Sequence, residues 1–352
     1  MKRKMVVALV LSVAMLALAG CGKAPADTSL AEGKTVESDG AGEKTYEKPE
    51  VVLRYGELNP DTHPMTMAAR EFARIVAEKS NGRMAIEIYP SGQLGDEKTQ
   101  VQSVQMGALD MFRAGSSFLS DYGIEMMRVF ELPYIFRDVD HSWSVLDSDI
   151  GDEFLQAVTD SGTKMVGIGY FADSPRNYFF TNKKVTSVSE MKNLKIRVPQ
   201  SEMHMETANA FGASATPISY SELYSALQTG VVDGAENALT AYEANKFYEV
   251  AKYYTFDAHS LAPYILVFSE ISWNKLDEND QEFLSDCWSE TEKWYREVAS
   301  DMDAQARVNL EASGVEFFEV DNKQEWVDAV APLYEKFGAG YEDVIRRIQE
   351  TK

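Results

Sequence analysis

Residues 51–89 read VVLRYGELNPDTHPMTMAAREFARIVAEKSNGRMAIEIY, and the change of period along this stretch decides the fold class. Val51-Val52-Leu53-Arg54-Tyr55 is a short β-prone run that stops at Gly56. Pro64 suits the first position of a helix, where its missing N–H costs nothing. Met65, Ala68, Phe72, Ile75 and Val76 then recur at helical spacing. Asn81-Gly82 turns the chain, and Met84 to Tyr89 alternates as a second strand. Working outward, Pro90-Ser91-Gly92 breaks that strand, a helix is expected over Glu97–Met106, and a third strand over Leu109–Phe112. This β-α-β-α-β run argues for an α/β lobe with a largely parallel sheet.

Further along, Met165–Tyr170 and Leu194–Val198 read as strands, and Ser201–Phe211 and Ser219–Gln228 as helices. Between Pro263 and Gly314 there is neither glycine nor proline. Within that interval Asn279-Asp280-Gln281-Glu282 resembles a capping box that opens a long helix. Phe283, Leu284, Cys287, Trp288, Trp294, Tyr295, Val298 and Met302 mark its buried side. About thirty helical residues span on the order of 45 Å, enough to brace two lobes. Two lobes are expected in any case, because the folded part from about Glu50 spans roughly three hundred residues, more than one core usually holds.

The N-terminus carries an export signal. Lys2, Arg3 and Lys4 precede an apolar run, Met5 to Leu18, which closes at Leu18-Ala19-Gly20-Cys21. The run is too short for a membrane span and ends in a lipoprotein cleavage box, so cleavage after residue 20 leaves a lipidated Cys21. Residues 21–48 are small and polar and form a flexible tether. With Cys21 lipidated, Cys287 has no partner for a disulfide and reads as a packed core thiol.

The net charge is −22, and residues 1–20 carry three positive charges and no negative one, so the remainder carries −25. Nucleic acid is excluded as a partner of such a surface. Phosphate-binding loops, zinc-protease and serine-hydrolase motifs are absent, so no catalytic residue is expected. The four histidines, His63, His141, His204 and His259, lack metal-ligand spacing, and neither metal nor cofactor is expected. Gly167-Ile168-Gly169-Tyr170-Phe171-Ala172 fits a loose dinucleotide fingerprint, but Asp173-Ser174-Pro175 follows where a helix should open.

One stretch remains. In Leu194-Lys195-Ile196-Arg197-Val198-Pro199, period two puts Ile196 and Val198 on one face and Lys195 and Arg197 on the other. Pro199 ends the strand, so Arg197 stands near its carboxyl edge, where open α/β sheets bind ligands. A guanidinium there fits a carboxylate through two hydrogen bonds; from spacing alone a surface ion pair fits as well. A second cluster, Gln228 to Asn237, is a strand between glycines ending in a carboxylate and an amide, with Asp233 reading as a turn residue.

These stretches, taken with Tyr89-Pro90-Ser91-Gly92-Gln93-Leu94-Gly95, Gly107-Ala108-Leu109-Asp110-Met111 and Leu132-Pro133-Tyr134, resemble the solute-binding proteins of tripartite ATP-independent periplasmic (TRAP) transporters, the C4-dicarboxylate-binding type. The resemblance implies a two-lobed periplasmic-binding-protein-like α/β fold with mixed sheets, a central cleft and a helix spanning both lobes. Residues 49–174 would form the first lobe and 175–262 the second. Residues 263–302 would return to the first, and 303–352 would pack as helices on the second. It makes Arg197 the main carboxylate clamp and Arg176 a second cleft arginine. Asn237 becomes a ligand contact and Tyr220 a pocket wall or a core residue.

Tyr55 to Pro64 and Asp110-Met111-Phe112-Arg113 look like the subgroup that takes sugar acids, hexuronates above all. Glu57, His63 and Arg113 would then meet hydroxyls, although Glu57 and His63 also read as helix caps before Pro64 and Arg113 as an interlobe ion pair. Glu236-Asn237-Ala238-Leu239-Thr240 departs from the subgroup's Glu-Asn-Asn-Pro-Pro, which leaves a dicarboxylate as the alternative ligand. The implied partners are integral-membrane permease subunits, with the lipid on Cys21 holding the protein outside the cell membrane.

Overall fold

The structure, a computed structural model, describes residues 46–352. The export signal, Cys21 and the tether through residue 45 lie outside the described residues. The strands are, in chain order, β1 (Val51–Gly56), β2 (Met84–Tyr89), β3 (Met111–Gly115), β4 (Met165–Phe171), β5 (Arg176–Phe180) and β6 (Lys195–Val198). They continue with β7 (Ser214–Pro217), β8 (Gly234–Asn237), β9 (Tyr253–Ser260), β10 (Tyr264–Ser269) and β11 (Glu316–Glu319). The expected first helix runs from Pro64 to Lys79 and buries Met65, Ala68, Phe72, Ile75 and Val76 as its spacing requires.

Two mixed sheets result, ordered β2-β1-β3-β10-β4 and β11-β9-β5-β8-β6-β7. In the first, β1 pairs parallel with β2 and β3, while β10 runs antiparallel to β3 and β4. In the second, only β5 opposes its neighbours, β8 and β9. Each sheet therefore has one reversed strand, and both have the same origin. β5 follows β4 after residues 172–175, and β10 follows β9 after residues 261–263. A strand that crosses between sheets through so few residues must start where the previous one ended, so it runs back along its new sheet.

That topology positions the site. Tyr264, the first residue of β10, lies opposite Gly115 and Phe171, the last residues of β3 and β4. Arg176, the first of β5, lies opposite Ser260, and Asn177 opposite Asn237, at the ends of β9 and β8. The carboxyl ends of both sheets thus meet at the two crossovers, the position where open α/β sheets hold ligands. The third strand starts two residues later than its pattern suggests, because the Asp110 carboxylate accepts from the Arg54 backbone N–H (2.7 Å) and the Ser272 hydroxyl (2.6 Å). Arg113 therefore lies inside β3.

The long helix is Glu278–Ala312, 35 residues and roughly 52 Å at 1.5 Å per residue. Its cap is Asp277, which accepts from the Asp280 N–H (2.9 Å), two residues before the expected box. Asp280 instead holds Arg83. Leu284, Cys287, Trp288 and Tyr295 pack into the core that carries the first sheet, while Ala306 and Leu310 join a second core against β5 and β8. Burial pushes the Cys287 thiol up to about 11, as suits an inert core group.

The glycines of the loose fingerprint serve this packing. A Cβ on Gly169 would come within 2.0 Å of Trp288 Nε1, and one on Gly167 within 3.0 Å of the Leu155 carbonyl. Not all of residues 303–352 lie on the second sheet. Helix Lys323–Phe337 does, through Trp326 against Phe211 (4.8 Å between rings). Helix Glu342–Glu350 instead carries its Val344, Ile345 and Ile348 stripe to the helix Asp149–Asp160, sealed by Arg347 on Glu153 (2.8 Å).

Candidate ligand cleft

Between the carboxyl ends of the two sheets lies a cleft of about 830 Å³, part of it continuous with solvent. Arg197 reaches it from β6 and is only 2 % exposed. Its Nε donates to the Ile218 carbonyl (2.8 Å), which fixes the guanidinium plane. Its Nη1 is buried with no partner among the described residues. Burial lowers its pKa to about 10, the field of Glu236 opposing and that of Arg176 adding to the shift. The group stays cationic at neutral pH, desolvated and unneutralised.

The other two arginines are differently placed. Arg176 is clamped by Glu236 through Nε (2.5 Å) and Nη2 (2.8 Å), and its Nη1 donates to the Tyr264 hydroxyl (2.9 Å). Glu236 is held far below the usual carboxylate range by Arg176 and His259, despite its burial. Arg113 is clamped by Glu57 through Nε (2.9 Å) and Nη2 (2.7 Å) and lies over the Tyr264 ring at 4.4 Å. Glu57 is fully buried, and its Oε1 also accepts the Leu58 and Asn59 backbone N–H groups (2.8 and 2.9 Å). It lies under Arg113 and does not line the cleft, which corrects its expected role as a hydroxyl contact. Each of these two buried arginines has an acid that offsets the cost of desolvating its guanidinium, and Arg197 has none among the described residues.

Asn237 ends β8 in the cleft wall, its Oδ1 accepting the Ala238 N–H (2.9 Å). Tyr220 also lines the wall, with the Arg197 guanidinium 5.7 Å from its ring centre. Its hydroxyl donates to Asn59 Oδ1 (3.2 Å) and accepts from Asn245 Nδ2 (2.8 Å), so hydrogen bonds already cross between the two sheets' layers. His63 does both things its position allows. Nδ1 caps the helix at the Met65 N–H (3.2 Å), and the ring lines the cleft, its pKa lowered by burial to about 3. Its Nε2 stands 3.7 Å from Asp173 Oδ2.

Sequence reasoning missed four cleft residues. Glu97 accepts the Gly115 N–H (2.8 Å) and burial raises its pKa; Asp173, in the β4–β5 crossover, accepts from Thr240 (3.0 Å) and burial raises it to about 6. His204 lies between the cleft and a small inner cavity, lowered by burial to about 3. Tyr264 bridges Arg113 and Arg176. Glu97 opens a helix, and an acid in a first turn reads as an ordinary helix start; the others carry no local signal at all. Among the described residues no group of His, Cys, Asp and Glu is placed to hold a metal ion, and no helix is long and apolar enough to cross a membrane.

Two α/β lobes joined by short crossovers and a spanning helix, around a polar cleft with a desolvated cation, define an extracytoplasmic solute-binding protein. More particularly, the chain belongs to the bacterial extracellular solute-binding proteins of family 7, DctP, which it matches over residues 55–340. It is similar to a TRAP periplasmic solute-binding protein of Bradyrhizobium sp. solved with α/β-D-galacturonate, at 36% identity and TM-score 0.82, covering 85% of this chain and 99% of that one. It is similar also to one from Pseudomonas putida F1 with bound D-glucuronate, at 31% identity and TM-score 0.83, covering 86% and 97%. A solute-binding protein of Chromohalobacter salexigens is 29% identical over 280 residues, 80% of this chain and 82% of that relative.

Proposed function

We propose that this chain captures a sugar acid, a hexuronate such as glucuronate or galacturonate, and hands it to a TRAP permease in the membrane, while a lipid on Cys21 holds it at the outer face. The observation that carries the reading is Arg197, a buried guanidinium at the carboxyl end of β6 whose Nη1 has no hydrogen-bond partner among the described residues. A planar donor fork of this kind is completed by one carboxylate. Around it Asn237, His63, Tyr264 and Glu97 offer mixed donors and acceptors, as a polyhydroxylated body requires. The uronate-bound relatives support the same ligand class. No covalent step is needed. The anion enters between the lobes, Arg197 takes its carboxylate, and closure excludes water, which strengthens the pair.

Calorimetry on the chain lacking residues 1–20 tests this. Glucuronate or galacturonate binds the wild type, and Arg197→Ala costs at least about 2 kcal/mol of binding, as for removal of a buried charge partner. Arg197→Ala binding within threefold of wild type refutes the clamp. The lipid is read separately, by mass spectrometry of the N-terminal peptide from membranes.

A further inference from the structure

The alternative ligand, a dicarboxylate, asks for two available cations, and the cleft does not hold two. Arg176 and Arg113 are each taken by a buried acid, Glu236 and Glu57, through two hydrogen bonds. The histidines lining the cleft, His63 and His204, are held neutral by burial. Lys98, the remaining cation of the lining, is exposed to solvent, where its charge is screened. Arg197 is therefore the one uncompensated cation among the described residues of the inner cleft. Two carboxylates with no cationic partner among the described residues, Glu97 and Asp173, line the same cavity.

Glu97 is held in place. Its Oε1 takes the Gly115 N–H at 2.8 Å, and a Cβ at position 115 would stand 3.2 Å from that oxygen, so the glycine lets the carboxylate approach the strand end. Oε2 has no hydrogen-bond partner among the described residues, and the side chain lines the cavity. An ionised carboxylate only accepts hydrogen bonds: it welcomes hydroxyl donors and repels another carboxylate in a site poor in water. Resting on the sugar-acid reading, we infer that Glu97, with Asp173, is the specificity-determining group that makes this cleft accept monoacids bearing hydroxyls and reject diacids of the same length. The exclusion works by an unpaired like charge, which discriminates more sharply than the loss of a favourable contact.

The pairs glucuronate/glucarate and galacturonate/galactarate test it: each diacid carries a second carboxylate in place of the anomeric carbon, and the accompanying loss of the ring is common to wild type and variants, so it cancels in the change of ratio. Affinities are measured by calorimetry on wild type, Glu97→Gln and Asp173→Asn, each first shown to unfold at a normal temperature. Wild type should prefer at least one uronate over its diacid by about a hundredfold. Glu97→Gln, which keeps an oxygen for the Gly115 N–H, should narrow that ratio at least fivefold, and Asp173→Asn should narrow it in the same direction. A wild type that binds neither uronate removes the proposed function and this inference with it. A uronate-binding wild type that takes the diacid equally well, or a ratio that Glu97→Gln moves by less than fivefold, overturns the inference alone.

Discussion

His259 shows how one side chain decides what a neighbouring arginine is free to do. Its Nδ1 lies 2.7 Å from Asp257 Oδ2, its Nε2 3.6 Å from Glu236 Oε2, and its ring stacks on Tyr178 at 4.5 Å. Burial alone would strip its proton, but the two acids outweigh it and push the pKa from 6.5 up to about 9. The charges alternate inward as Asp257, His259, Glu236 and Arg176, and this holds Arg176 on Glu236 and away from a second ligand carboxylate. The unfolded chain releases this proton near pH 6.5 and the folded chain near pH 9. The stability it contributes is therefore full below about 6.5 and declines as pH rises to about 9, by roughly 3 kcal/mol. Urea midpoints of wild type should fall across that window and those of His259→Gln should stay flat; parallel curves would show that the proton is not held.

Among the elements, the long helix and β4 are matched to each other at one point. Trp288, fully buried, lies across β4 where Gly169 leaves no Cβ in the way, and its ring meets Phe72 (5.4 Å) and Phe171 (4.8 Å). Gly169→Ala forces the indole or the strand to move, and overpacking of this kind costs about 1–3 kcal/mol. Thermal unfolding should register a drop of several degrees for Gly169→Ala. An unchanged midpoint would mean that the helix is not seated as described. Because the same helix continues into the second core through Ala306 and Leu310, its seating on β4 bears on the angle between the lobes.

At the scale of the whole molecule, the lobes are joined by two short crossovers between strands, the long helix, the turn between the last two helices, and a small set of hydrogen bonds that cross the cleft. The Tyr220 hydroxyl is the centre of that set, linked to Asn59 on one side and to Asn245 and Asn237 on the other. Removing it in Tyr220→Phe should shift the ligand-free population toward an open form. Affinity falls in proportion to the closed fraction, so a several-fold weaker uronate affinity should accompany a larger ligand-free radius of gyration in small-angle scattering. Scattering identical to wild type would remove the latch from the account.

The sequence by itself determined the local features: the first βαβ units, the unbroken helix near the C-terminus, and an arginine one residue from the end of a buried strand. Each of these rests on a period or a breaker within a few residues, which a single chain displays directly. It marked β5 only as an extended segment after a turn and β8 only as a strand somewhere between Gln228 and Asn237, because strands covered on both faces lose the alternation that marks a half-buried one. Above all it could not say which arginine is free. Arg113 and Arg176 are neutralised by Glu57 and Glu236, 56 and 60 positions away, while Arg197 meets a carbonyl and the Tyr220 ring but no acid among the described residues. Charge compensation in a dry cleft depends on distances between side chains, and only the folding of both sheets toward one point sets those distances.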